Sequence, residues 1–171
     1  MARRRWGLIV SGVALVALLL AMAPAEEQMQ ETGPGMVTFE LAGGQERADE
    51  ILAEWGEAGR DAAREQLFID FAFLLAYGTF LVLAVAAVRD RLAKRGWPRL
   101  AAVGAVIVPF GAAAAAFDAA ENACLLAVLG EAGSVFPTLA AIFAAIKFAL
   151  LGAAIAYLVV GIGLSLRSRL A

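Results

Sequence analysis

The sequence predicts an all-α membrane protein: a four-transmembrane-helix bundle with an extracytoplasmic amphipathic helix, formed by a single domain over residues 1–171. Three observations carry this. Hydrophobic residues make up 62% of the chain and its mean hydropathy is +0.79, against roughly 45 to 50% apolar in an average soluble domain. Four apolar runs, Trp6 to Ala23, Leu67 to Val88, Leu100 to Leu129 and Phe136 to Leu166, are each about 18 residues or longer, enough to cross the hydrocarbon core. The charges alternate in sign between these runs, as the positive-inside rule requires.

That alternation sets the topology. Arg3, Arg4 and Arg5 precede the first run; Arg89, Arg91, Lys94, Arg95 and Arg99 separate the second from the third; Arg167 and Arg169 follow the fourth. Between the first two runs, Glu26 to Glu65 contains eleven acids and only Arg47, Arg60 and Arg64. Both termini are therefore expected in the cytoplasm, with the acidic segment 24–66 outside and the chain multi-pass in the inner (cytoplasmic) membrane.

The first run has an alternative reading. Arg3 to Arg5, the apolar Leu8 to Leu20 and the small residues before Glu26 form the three parts of a cleavable signal peptide, whose removal would leave three spans. The uncleaved span is preferred, because the apolar run reaches the minimal spanning length of roughly 17 residues and Pro24 sits inside the cleavage site.

From Pro24 to Gly44, three glycines besides Gly44 and a second proline predict an extended connector, with Met36 to Leu41 the one stretch able to form a strand. Ala48, Ile51, Leu52 and Trp55 then recur at i, i+3, i+4 and i+7, opposite Glu46, Arg47, Asp49, Glu50 and Glu54. This is the pattern of an amphipathic helix lying on the bundle mouth or in the headgroup layer, where Trp55 would anchor. Gly56 and Gly59 are expected to break it before a new helix runs into the second span. In the third span, Pro109-Phe110-Gly111 and five alanines predict a kinked, closely packed helix; Gly152, Ala153, Ala154 and Ala156 predict close packing in the fourth.

The candidate site is polar. Asp118, Glu121 and Asn122 stand at i, i+3 and i+4 and share a helix face with Ala114, Ala115 and Leu125. Leu100 to Asp118 covers roughly 27 Å, which puts these residues in the outer leaflet. Asp70 lies in the first turn of the second span at similar depth, followed on its face by the Tyr77 hydroxyl and then a gap at Gly78. Lys147 lies roughly 15 Å below Phe136 and leans toward its helix N-terminus, so it is the expected counter-charge. Three acids on one lysine leave an excess of negative charge, a protonated carboxyl group or room for a cation.

Three functions follow as expectations. The site binds a membrane lipid or small amphiphile through Asp70, Tyr77, Asp118, Glu121, Asn122 and Lys147, an acid orienting an amine or hydroxyl. Alternatively, the chain is a non-catalytic accessory subunit whose charges, paired with Lys147 and Arg64, only hold helices in register. A membrane-embedded enzyme using paired carboxylates on a lipid is the third. With histidine absent and Cys124 the sole cysteine, an intramolecular disulfide, a Cys-rich zinc site and the usual His-ligated haem are excluded, and no cofactor or metal is expected. No nucleic-acid partner is expected either, since topology accounts for the arginines.

The runs Phe39-Glu-Leu-Ala, Arg47-Ala-Asp-Glu-Ile-Leu-Ala-Glu-Trp-Gly56, Gly59-Arg60, Asp70-Phe-Ala-Phe-Leu-Leu-Ala-Tyr-Gly78 and Asp118-Ala-Ala-Glu-Asn122 resemble a group of uncharacterised bacterial four-span membrane proteins. In architecture the chain is also similar to the emopamil-binding and sigma-2 receptor superfamily. That resemblance implies a short bundle with acids lining a lipid-facing pocket, at Asp70 and the Asp118/Glu121 pair. The catalytic histidine of the sterol isomerases has no counterpart in this sequence, so the resemblance implies no isomerase chemistry.

Overall fold

The computed structural model describes residues 2–167 and is helical throughout, with no strand among the described residues. The elements are α1 (Ala2–Gln30), α2 (Met36–Glu40), α3 (Gln45–Lys94), α4 (Pro98–Ile107), α5 (Phe110–Leu129) and α6 (Phe136–Arg167). Among the described residues, four segments are long and apolar enough to cross a membrane: Arg3–Gln30, Gln45–Lys94, Pro98–Leu129 and Phe136–Leu166. Arg169, counted above among the bases after the fourth run, lies outside the described residues.

The connector is shorter than its composition predicts. Helix α1 continues through Pro24 to Gln30, because one proline removes only one backbone donor and the following Ala25, Glu26, Glu27, Gln28 and Met29 are good helix formers. Packing settles the matter, since Ala25 and Met29 are buried against Met36, Phe39 and Trp55. Met36 to Glu40 is one helical turn rather than a strand. Its two buried residues, Met36 and Phe39, stand at i, i+3, which suits a turn laid on a helical bundle and not a pleat that has no sheet to join.

The amphipathic pattern of residues 45–55 holds. Ala48, Ile51, Leu52 and Trp55 are all buried, and the acidic face is exposed. Trp55 does not sit at a wet interface, however. It is only 2% exposed, stacks at a tilt on Phe39 with ring centroids 4.9 Å apart, and donates its indole N–H to the Pro34 carbonyl at 2.7 Å. The helix breaks at Gly56, whose φ of 61° and ψ of −160° belong to a region open essentially to glycine alone. Gly59 is not a breaker: it stays helical and leaves room for Trp55, whose Cβ lies 2.6 Å from where a glycine-to-alanine methyl would stand.

Residues 57–94 form the central shaft, against which α1, α5 and α6 all pack. Pro109 separates α4 from α5, as the kink in the third span predicts. The expected gap beside Tyr77 is filled: Gly78 faces Gly111 of α5 so closely that a Cβ on Gly111 would stand 2.9 Å from the Gly78 carbonyl oxygen and 3.1 Å from the Val82 nitrogen. In α6 the close contact is Gly161 against Val88, whereas Gly152 faces open space and Ala156 is exposed; only Ala154 of the four small residues is fully buried. Gly111→Ala is therefore expected to lose about 1–3 kcal/mol by overpacking against backbone that cannot give way. Gly152→Ala should leave the thermal midpoint in detergent unchanged or raise it, and equal behaviour of the two variants would contradict the crossing.

Candidate functional site

The site forms where the shaft of α3 (residues 57–94), α5 and α6 meet under α2. Helix α5 carries Asp118, Glu121 and Asn122 on one face, all under 4% exposed. Lys147, one turn above the middle of α6, is 5% exposed and projects back toward the α6 N-terminus into that face. Its Nζ donates to Asp118 Oδ1 at 3.0 Å, lies 2.8 Å from Glu121 Oε2 and reaches Glu40 Oε2 of α2 at 3.3 Å. Asp118 Oδ2 accepts from the Tyr77 hydroxyl at 2.8 Å, and Asn122 donates to Asp70 Oδ2 at 2.6 Å. Seven side chains from four elements thus take part, and Glu40 ties α2 to Lys147 of α6.

The charges do not balance. Glu40, Asp118 and Glu121 share the single ammonium, and Asp70 has an amide partner but no cation within ion-pair distance. Burying a carboxylate is unfavourable unless donors satisfy it. Glu121 Oε1 and, beside the cluster, Gln66 Oε1 are buried acceptors with no donor among the described residues. The Lys147 ammonium lies within 3.3 Å of the Glu40, Asp118 and Glu121 carboxylates.

Beside this network runs a cleft of about 640 Å³. It exists because α1 and α6 both pack on α3 without an extensive interface with each other, leaving a furrow between them floored by α3. One end is polar, lined by Glu26, Glu40, Gln66, Asp70, Asp118 and Lys147. The rest is apolar, walled by Leu15 and Leu19 of α1, Phe73 and Phe80 of α3, and Leu151 and Ile155 of α6. Met36 and Val37 of α2 roof the polar end.

Of the residues singled out in the sequence, Asp70, Tyr77, Asp118 and Lys147 line the cleft. Glu121 and Asn122 belong to the same network but stand behind Asp118 rather than in the wall. Arg64 takes no part: it bonds Asp61 at 2.6 Å on the exposed surface, because its place near the start of the shaft points it away from α5. Cys124 is a buried thiol packed with Leu125 and Val128 in the upper core. Three polar cleft residues, Gln66, Glu26 and Glu40, were not among the candidates read from the sequence. Gln66 was legible as the polar residue four before Asp70, on the same helix face. Glu26 and Glu40 were not, since each was assigned to an extended connector; in the structure Glu26 Oε2 accepts the Met36 backbone N–H at 3.1 Å and so fixes the start of α2.

Compared with known proteins, the chain matches no family model, no curated protein and no solved structure.

Proposed function

We propose that this is a multi-pass inner-membrane protein, with both termini cytoplasmic and the arm 45–55 on the outer side, that binds a lipid or small amphiphile in the cleft between α1 and α6. The reading rests on the cleft's division into a polar end and an apolar trough of combined volume about 640 Å³, a size suited to small-molecule ligands. The polar end is mostly acceptors: Glu26, Glu40, Asp70, Asp118 and the unpartnered Gln66 Oε1 outnumber the donor Lys147. A head carrying amine or hydroxyl donors would satisfy them, while the tail lies between α1 and α6. Placement of the arginine-rich ends inside and the acidic segment outside follows the positive-inside rule.

A second reading has its own support. Lys147 is already held by three carboxylates, so the network serves equally as a brace that fixes α2, α5 and α6 in register, as in an accessory subunit. Asp118→Asn combined with Glu121→Gln separates the two. A ligand site predicts that the lipid or metabolite carried through purification, weighed by native mass spectrometry, falls at least about tenfold in occupancy, the loss expected when hydrogen bonds to a charged group are removed. Thermal stability then holds or rises. A brace predicts the reverse: a lower thermal midpoint with no change in what is bound.

A further inference from the structure

At the opposite end of the α1–α3 pair lies a second groove, of about 440 Å³, lined by Arg4, Arg5 and Leu8 of α1, by Ala87, Asp90, Arg91 and Lys94 of α3, and by Arg95 at the end of α3. Its bases come from two helices and face one another across a furrow, which topology alone does not demand. Charge placement by the positive-inside rule needs only that the arginines be on that side of the membrane.

The pairing inside the groove is selective. Asp90 is its only acid, and it is already held by Arg4 at 2.6 Å and Arg89 at 2.7 Å. Arg95 is engaged with the Ser165 carbonyl of α6. Arg5, Arg91 and Lys94 have no ionic partner among the described residues. The groove therefore presents three cations around a floor that turns apolar at Leu8 and Ala87. Two exposed indoles adjoin the groove in sequence: Trp6, next to Arg5, is 66% exposed, and Trp97, three residues after Lys94 and just before the span at Pro98, is 43% exposed. Exposed tryptophans on spanning segments sit at the headgroup layer.

We propose that this groove is a binding site for the phosphate of an anionic membrane lipid, with Arg5, Arg91 and Lys94 around the phosphate and the first acyl carbons on Leu8 and Ala87. Arginine suits a phosphodiester because its guanidinium donates two parallel bonds to two oxygens, and lysine adds a mobile point charge. The apolar floor and the flanking indoles favour a lipid over free phosphate, which would gain nothing from either. The site is independent of the α1–α6 cleft and stands or falls without it.

The test titrates the full-length protein in detergent micelles with phosphatidylglycerol, with phosphatidylcholine of the same chains and with inorganic phosphate, reading bound mass by native mass spectrometry. The expected result is preferential binding of phosphatidylglycerol that inorganic phosphate does not displace. Arg91→Gln with Lys94→Gln should weaken it about thirtyfold, the effect of two bases near a lipid headgroup. Ala87→Phe, which fills the furrow and leaves every charge in place, should weaken it as well. Equal binding of the two lipids by the wild-type chain, or phosphatidylglycerol binding unmoved by both variants, overturns the proposal. Displacement by inorganic phosphate at matched concentration overturns the lipid assignment in favour of a soluble anion.

Discussion

Replacing Lys147 by methionine is expected to remove about 3–5 kcal/mol of stability, because it leaves Glu40, Asp118 and Glu121 facing one another in a site from which water is largely excluded. Methionine fills the space of the lysine stem, so the loss reports charge and not a cavity. The three carboxylates converge on one atom at 2.8 to 3.3 Å, and among the described residues no other base forms an ion pair with any of them. Asp118 keeps the Tyr77 hydroxyl, but Glu121 keeps nothing, since Lys147 is its only partner. The check is a denaturation series in detergent on Lys147→Met alone and in combination with Asp118→Asn and Glu121→Gln. Neutralising the acids should return most of the lost stability, because a buried ionic cluster replaced as a whole is often close to neutral. If the triple variant is as unstable as the single one, the lysine acts through packing and the electrostatic account is wrong.

Trp55→Ala is expected to be nearly as severe, at about 3–5 kcal/mol for emptying a fully buried aromatic site. Its effect should be concentrated at one end of the bundle. Trp55 joins the arm 45–55 to α2 through Phe39 and to the preceding turn through the Pro34 carbonyl. Without it, the turn that carries Glu40 over Lys147 loses its backing, and with it the roof of the cleft at Met36 and Val37. Amide hydrogen exchange should show protection lost over residues 36–55 and kept over 67–88, where the shaft is held by α5 and α6. Uniform loss across both segments would mean that α2 and the arm are integral to the bundle core and do not form a separable lid.

These two residues also mark what could and could not be read from the chain. Lys147 was legible as the partner of Asp118 because depth in a spanning helix can be counted at about 1.5 Å per residue and side chains lean toward the N-terminus. The four spans were legible for the same reason: length and apolarity are local properties. Glu40 was not, although it completes the lysine's shell, because its contact closes over 107 residues and depends on Met36 and Phe39 turning into a helix that composition argued against. Pro24 misled in the same way, its local preference overridden by the burial of Ala25 and Met29. The face below Asp70 failed differently: Gly78 leaves a gap only if nothing fills it, and Gly111 of α5 does. Close approach between two glycines is a property of a pair, and neither one announces its partner.

The cleft itself was foreshadowed only as a polar patch. Its apolar trough arises between α1 and α6, which each pack on α3 but share no extensive interface, and a missing interface leaves no pattern in either sequence. Ile155 lines that trough and is 53% exposed, so it can be enlarged without disturbing the core or any polar contact of the Lys147 network. The most direct test of the amphiphile site is native mass spectrometry of the purified chain beside its Ile155→Trp variant. The account predicts a discrete bound mass on the wild-type protein that is lost or sharply reduced when the indole occupies the trough, with the thermal midpoint retained. No bound mass on the wild-type chain, or the same mass at the same occupancy on both, would contradict it.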